Sequence, residues 1–160
     1  MPEKTGVDAL RGSVTIRSMA EQSATVVTFT VPGNPVPQPR ARVSTRGGFA
    51  RAYVPGKHPV HDYRRAVAEA AKAAGLRSTG KPLAVGIRAV FARPASHRTR
   101  AGLREGAPVL PRPDVDNIAK AVLDSLQGVM GDDTMVASLA VEKKYGDEAG
   151  TVVVVSEFDS

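Results

Sequence analysis

The stretch Pro113-Asp114-Val115-Asp116-Asn117-Ile118-Ala119-Lys120-Ala121-Val122-Leu123-Asp124 reads as the start of an amphipathic helix. Pro113 biases Arg112 away from helical backbone, and Asp114 is a favourable N-cap, so the helix begins here. Ile118, Ala119, Val122 and Leu126 recur at helical spacing and predict an inward-facing stripe from Asp114 to about Gln127. A glycine turn follows, Gly128-Val129-Met130-Gly131, and then the pair Asp132-Asp133. Thr134 to Tyr145 reads as a strand that can fold back beside the start of the helix.

Further out, Thr151 to Phe158 is a second strand, and Gly146-Asp147-Glu148-Ala149-Gly150 between the two carries a hairpin signal. Upstream, Leu83 to Phe91 is apolar enough to predict a strand buried on both faces. Between it and the helix, Arg93 to Arg112 is rich in Pro and Arg without a period, and is expected to be a long mobile loop. Val60 to Ala74 is alanine-rich, with Tyr63, Val67, Ala70, Ala71 and Ala74 at helical spacing and Gly75 as a stop. Ala24 to Val31 alternates and is β-branched, so it is a strand. Prolines 32, 35, 37 and 39 exclude helix from the following segment, and a short hairpin is expected around Gly47-Gly48. Residues 1–22 read as a variable tail and 23–160 as one domain. The predicted class is α+β, a small mixed or antiparallel sheet of about four to five strands covered by two helices.

Composition narrows the function. The chain has 160 residues, a formal net charge of +6 and no cysteine. Disulfide scaffolds, thiolate zinc sites, iron–sulfur clusters and cysteine nucleophiles are therefore excluded. No apolar run reaches the ~18 residues of a membrane span. The N-terminal segment lacks the apolar stretch of a secretion signal, so a cytoplasmic location is expected. Positive charge is unevenly placed. No acidic residue lies between Glu21 and Asp62, where Arg40, Arg42, Arg46, Arg51 and Lys57 fall, and none lies between Glu69 and Glu105. Such polarisation suits a polyanion, with those five cations meeting phosphates, although solvated surface charge gives the same pattern. Three Tyr, four Phe and no Trp make a poor platform for stacking unpaired bases, so backbone contacts to a structured duplex fit better.

Spacing leaves two readings of the carboxylates open. In one, Asp114, Asp116 and the Asp132-Asp133 pair form a hard-cation site, with Lys120 near a scissile phosphate and Asn117 as an oxygen ligand or outer hydrogen-bond partner. Mg²⁺ suits this, since one or two carboxylates plus substrate phosphates usually hold it. In the other, Asp114 caps, Asp116 complements the helix dipole and pairs with Lys120, and Asp132-Asp133 are turn residues. Three carboxylates converging to about 4 Å would repel by up to ~4 kcal/mol per pair at an effective dielectric near 20, so convergence would demand a cation.

At these residues the chain resembles the RusA family of Holliday-junction resolvases, including phage-borne members. The resemblance is carried by Pro113-Asp-Val-Asp-Asn-Ile-Ala-Lys-Ala-Val-Leu-Asp-Ser-Leu, by Gly128-Val129 with Asp132-Asp133, and by the strand ending Lys143-Lys144-Tyr145. Val31-Pro32-Gly33-Asn34-Pro35-Val36-Pro37, Arg40-Ala41-Arg42, Tyr53-Val54-Pro55 and Phe91-Ala92-Arg93-Pro94 support it, over about residues 25–158. It implies a homodimeric, Mg²⁺-dependent endonuclease (Mn²⁺ able to substitute) of the bacterial or phage-infected cytoplasm. Such an enzyme binds four-way DNA junctions by shape and nicks two strands symmetrically, with no organic cofactor and no membrane partner. It also implies metal-binding catalytic roles for Asp114, Asp116 and Asp133, a catalytic role for Lys120, and an acidic neighbour of the metal in Asp132. The stretch around Arg40 and Arg42 would touch the phosphate backbone. Gln38-Pro39 stands where relatives often carry Lys-Gly, and Met130-Gly131 where Leu-Trp is common. The competing expectations are a branched-DNA-binding module without cleavage and a nuclease for other branched DNA.

Overall fold

The computed structural model describes residues 26–103 and 111–158. The strand β1 (Val26–Pro32) is followed by the short β2 (Arg42–Ser44) and β3 (Arg51–Tyr53), then by helix α1 (Val60–Ala73) and strand β4 (Leu83–Ala92). A 3₁₀ turn (Ala95–His97) and two-residue strands β5 (Arg98–Thr99) and β6 (Gly102–Leu103) precede helix α2 (Val115–Met130). A second 3₁₀ turn (Asp133–Met135), β7 (Val136–Gly146) and β8 (Gly150–Glu157) complete the described residues. The fold is α+β: a four-stranded mixed sheet in the order β1-β8-β4-β7, two helices, and small hairpins. The expected tail, residues 1–22, lies outside the described residues.

The two central strands explain the layering. In β4, Leu83, Val85, Ile87 and Ala89 join a core with Phe29 and Val31 of β1, Val153 and Val155 of β8, and the inward faces of both helices. Helix α1 contributes Val60, Tyr63, Val67 and Ala71, and α2 contributes Ile118, Ala119, Ala121, Val122, Leu126 and Met130. Helix α1 packs against α2 and β1, and α2 against β7. Tyr63 Oη and Thr151 Oγ1 are 2.7 Å apart, a buried bond tying α1 to β8. Burial raises the Tyr63 pKa, and the Thr151 hydrogen bond acts in the opposite direction. The folded state therefore keeps a phenolic proton that the unfolded chain releases, so stability holds up to the ordinary tyrosine range and declines above it. Tyr63→Phe is expected to cost about 1–2 kcal/mol at neutral pH, because it orphans the Thr151 hydroxyl. It should also flatten the alkaline limb of the stability curve, and denaturant melts across pH measure both effects.

Three expectations need correction. Strands β7 and β8 do not form a hairpin, because β4 lies between them, parallel to β7 and antiparallel to β8. The link instead crosses the end of β4, where the Arg93 N–H donates to the Gly146 carbonyl at 3.0 Å. Glycine is required at this crossing, since a Cβ on Gly146 would lie 2.5 Å from Val90 Cγ1. Helix α2 runs one turn beyond the expected stop. Gly128 is accommodated within it, Met130 is buried, and the chain turns only at Gly131, with φ of 96°. The segment after β4 is not structureless either, for it holds the 3₁₀ turn and the β5–β6 hairpin as far as the described residues extend. The expected hairpin around Gly47-Gly48 is present as β2 and β3, with φ of 91° and 83° at the two glycines.

Candidate nuclease site and nucleic-acid interface

Parallel neighbours need a crossover, and α2 is the crossover between β4 and β7. Its first turn must therefore lie at the carboxyl ends of these strands. Asp114 takes the N-cap position with extended backbone (φ −69°, ψ 145°), yet its side chain makes no capping hydrogen bond. Its carboxylate is thus not consumed by the helix. Asp116 sits in the first turn, exposed, and accepts from the Asn117 N–H at 2.9 Å. Lys120 does not pair with Asp116 as the structural reading expected. It leans one turn onward, with Nζ 3.6 Å from Asp124 Oδ1 and a side chain 61% exposed, loose enough to reach elsewhere.

Asp114 lies in an open cleft of about 510 Å³ lined also by Pro37, Gln38, Arg40, Arg112, Pro113 and Asn117. Two arginines thus share a cleft with a free carboxylate, a composition that suits a phosphate and a cation together. The proline segment forms one wall because it is tied down. The Gln38 N–H donates to the Asn117 carbonyl at 2.9 Å. Arg64 of α1 donates to the Gln38 amide oxygen and, at 2.8 Å, to Asp124 Oδ2. One guanidinium thereby joins α1, α2 and the loop carrying Arg40. Sequence reading missed Arg64, Arg112 and Asp124's place in this network. Arg64 and Asp124 are far apart in sequence, and only the packing of α1 on α2 brings them together.

The Asp132-Asp133 pair stands elsewhere. Asp132 Oδ1 accepts from the Thr134 N–H at 2.9 Å and caps the 3₁₀ turn. That backbone bond, with the Thr134 hydroxyl, holds its carboxyl below the usual range. Asp132 therefore has structural work, whereas Asp133 is exposed and makes no such cap. Both lie beyond the C-terminus of a 16-residue helix, about 24 Å long, from Asp114 and Asp116. The expectation that the next strand folds back beside the helix start is correct for β7, but the residue it delivers there is Lys143. Lys143 Nζ lies 2.8 Å from the Pro113 carbonyl and 3.2 Å from that of Pro111. Among the described residues no three acid or imidazole side chains are arranged to hold an ion. Convergence of Asp114, Asp116 and Asp133 within one subunit is thus not what the fold provides.

The basic residues divide. Arg40, Arg42, Arg46, Arg51 and Lys57 are exposed. Arg42 pairs with Tyr53 and Ser44 with Arg51, which puts Arg42 and Arg51 on one face of the β2–β3 hairpin. Arg88, by contrast, is 1% exposed and donates through Nε to Glu142, so it contributes nothing to a DNA-facing surface.

Residues 32–156 match the family model for the endodeoxyribonuclease RusA. The chain belongs to the RusA family. The match begins at Pro32, where β1 ends, and spans the cleft, both helices, β4, β7 and β8 as far as Ser156. Membership in the RusA family makes the reaction class nuclease cleavage of DNA. The chain is also 30% identical over 137 residues to the uncharacterized protein YqaN of Bacillus subtilis (strain 168), covering 82% of this chain and 96% of that one. No helix among the described residues is long and apolar enough to cross a membrane.

Proposed function

We propose that this chain is a structure-specific endonuclease that cuts four-way DNA junctions by paired, symmetric nicks with Mg²⁺, for which Mn²⁺ can substitute. The observation that carries this reading is the cleft at the start of α2, where Asp114, its side chain free of a capping bond, shares the lining with Arg40 and Arg112. Asp114 and Asp116 match the donor set Mg²⁺ takes in phosphate chemistry, one or two carboxylates with waters and substrate phosphates completing the shell. When bound, the ion supplies Lewis-acid activation of the phosphodiester and of the attacking water. The protein's own groups do the rest. Arg40 and Arg112 clamp the phosphate, Lys120 turns from Asp124 toward the scissile group, and the Arg64–Gln38 contact keeps the Arg40 loop in place.

A twofold dimer completes the site. Strand β7 is one of the two edges of the sheet among the described residues, 11 residues long, beginning just after Asp133 and passing Pro113 at Lys143. Antiparallel pairing of two such edges would lay the beginning of one β7 against the end of the other. That would bring Asp133 of the partner subunit toward Asp114 and Asp116 of the first. An exposed edge of this length, with Leu139 44% exposed, invites such pairing. Two equivalent sites then suit two related cuts.

A synthetic four-way junction given the chain and Mg²⁺ should yield nicks at matching positions in two opposed strands, while a linear duplex of the same sequence stays intact. Tight binding without cutting in both Mg²⁺ and Mn²⁺ would retire the nuclease reading in favour of a binding module, and equal cutting of flaps or forks would broaden the substrate class. If Arg40, Arg42, Arg46, Arg51 and Lys57 each neutralise one phosphate, log affinity should fall with log salt at a slope of about −4 to −5. A flat salt dependence would remove backbone contacts from the reading.

A further inference from the structure

The β2–β3 hairpin has a chemical character that phosphate binding alone does not require. Its turn needs two consecutive left-handed residues, supplied by Gly47 and Gly48, and is closed by the Gly48 N–H donating to the Thr45 carbonyl at 3.2 Å. Immediately after this turn Phe49 stands 76% exposed, and Val43, on the hairpin face opposite Arg42 and Arg51, is 68% exposed. Neither belongs to the core. Among the described residues nothing covers this ring, which leaves its apolar surface free to meet a partner.

The surroundings name that partner. Arg42, Arg46 and Arg51 share the hairpin with Phe49, and the sequence has no acidic residue between Glu21 and Asp62. The partner must therefore be a polyanion that also offers a flat apolar surface. Along an intact duplex the base faces are covered by their stacked neighbours. At a branch point, base pairs end and their faces are open, so an aromatic side chain can stack on them or part the adjoining step.

We infer that Phe49 is an unstacking wedge for branched DNA: it seats against the terminal base pair at the branch point, while Arg42, Arg46 and Arg51 hold the flanking phosphates. The inference rests on the nuclease reading above and adds to it the feature by which the protein tells a branch from a duplex. The hairpin grows from Arg40, which lines the catalytic cleft, so a wedge at its tip would set where the cut phosphate lies relative to the branch.

The test uses a four-way junction with 2-aminopurine beside the crossover, in metal-free buffer, titrated with wild-type chain and with Phe49→Ala. Exposure of the ring means the substitution should leave thermal unfolding unchanged. The expected result is a several-fold rise in fluorescence with wild type and none with Phe49→Ala. Junction affinity should fall by about tenfold, the scale of one aromatic–base contact, while duplex affinity should change by less than about twofold. Phe49→Tyr, which keeps the ring, should restore the signal. Equal fluorescence and equal junction preference in wild type and Phe49→Ala would overturn the wedge and leave the nuclease reading intact, since cleavage is scored separately. A change in oligomeric state in Phe49→Ala would also overturn it, placing the ring in a subunit contact. Failure of the wild-type chain to bind DNA at all would overturn both.

Discussion

Asp116→Asn is expected to lower junction cleavage by at least about 10³-fold, ~4 kcal/mol in the barrier, while leaving junction binding unchanged or tighter. The substitution keeps the shape of the side chain and an oxygen able to accept from the Asn117 N–H, the one side-chain hydrogen bond Asp116 makes among the described residues. What it removes is a negative charge. A carboxylate lost from the first turn costs the fold only about 0.3–1 kcal/mol of dipole interaction, so the variant should remain folded at the assay temperature. DNA, itself an anion, should bind no worse once that charge is gone. Asp114→Asn should behave alike, and with even less effect on stability than N-cap replacements usually have, because its side chain makes no capping bond. Single-turnover cleavage, equilibrium binding without metal and thermal unfolding together separate chemistry from affinity and fold. Full nuclease activity in Asp116→Asn would remove this carboxylate from the reaction.

The contrast between local and long-range information explains which parts of this molecule could be read from its sequence. Helix α2 was legible because Pro113, Asp114 and the Ile118–Val122–Leu126 stripe are local signals, each acting within a few residues. Its end was misread by a turn. Gly128 is a stop only if no buried residue follows, and Met130, 1% exposed, anchors one more turn. The supposed β7–β8 hairpin failed for a different reason. A short glycine-bearing link can join adjacent strands or strands that flank a third, and only sheet order decides. The apolar run of β4 held the missing information, since a strand buried on both faces belongs in the sheet's interior. Arg88 is a cation withdrawn from the surface, and its pairing with Glu142, on a neighbouring strand, leaves no mark in the sequence around either residue.

The candidate site divides along the same line. Asp114, Asp116 and Lys120 occupy one helix start and stand together in the sequence by spacing alone. Arg64 and Lys143 do not, because their partners, Asp124 and Gln38 for one and the Pro111 and Pro113 carbonyls for the other, lie on distant segments. The position of Asp133 is the most consequential of these outcomes. A residue following a helix cannot return to that helix's start unless the chain is long enough to come back. Here the chain that returns is β7, and Asp133 stays behind at the far end.

That placement gives a prediction whose sign depends on geometry alone. Asp116→Asn and Asp133→Asn should each be inert as pure proteins. Co-expressed with different tags and purified as the mixed dimer, they should cut again. If Asp133 serves the site of its partner, one site of the mixed dimer combines both substitutions and the other combines none. The intact site should give single nicks at about half the wild-type rate, and paired cuts should disappear. If Asp133 served the site of its own chain, each site would carry one substitution and the mixed dimer would stay as inert as its parents. The 16-residue helix between the two acidic groups makes the first outcome the expected one. An inert mixed dimer, shown intact by its two tags, would place Asp133 in the site of its own chain and overturn the shared site, whereas an active pure Asp133→Asn protein would separate Asp133 from the metal centre while leaving Asp114 and Asp116 in it. Recovery of nicking would instead mean that neither subunit holds a complete site alone, so that the enzyme cuts only as a dimer and its two active sites are necessarily related by the twofold axis that relates the two cuts.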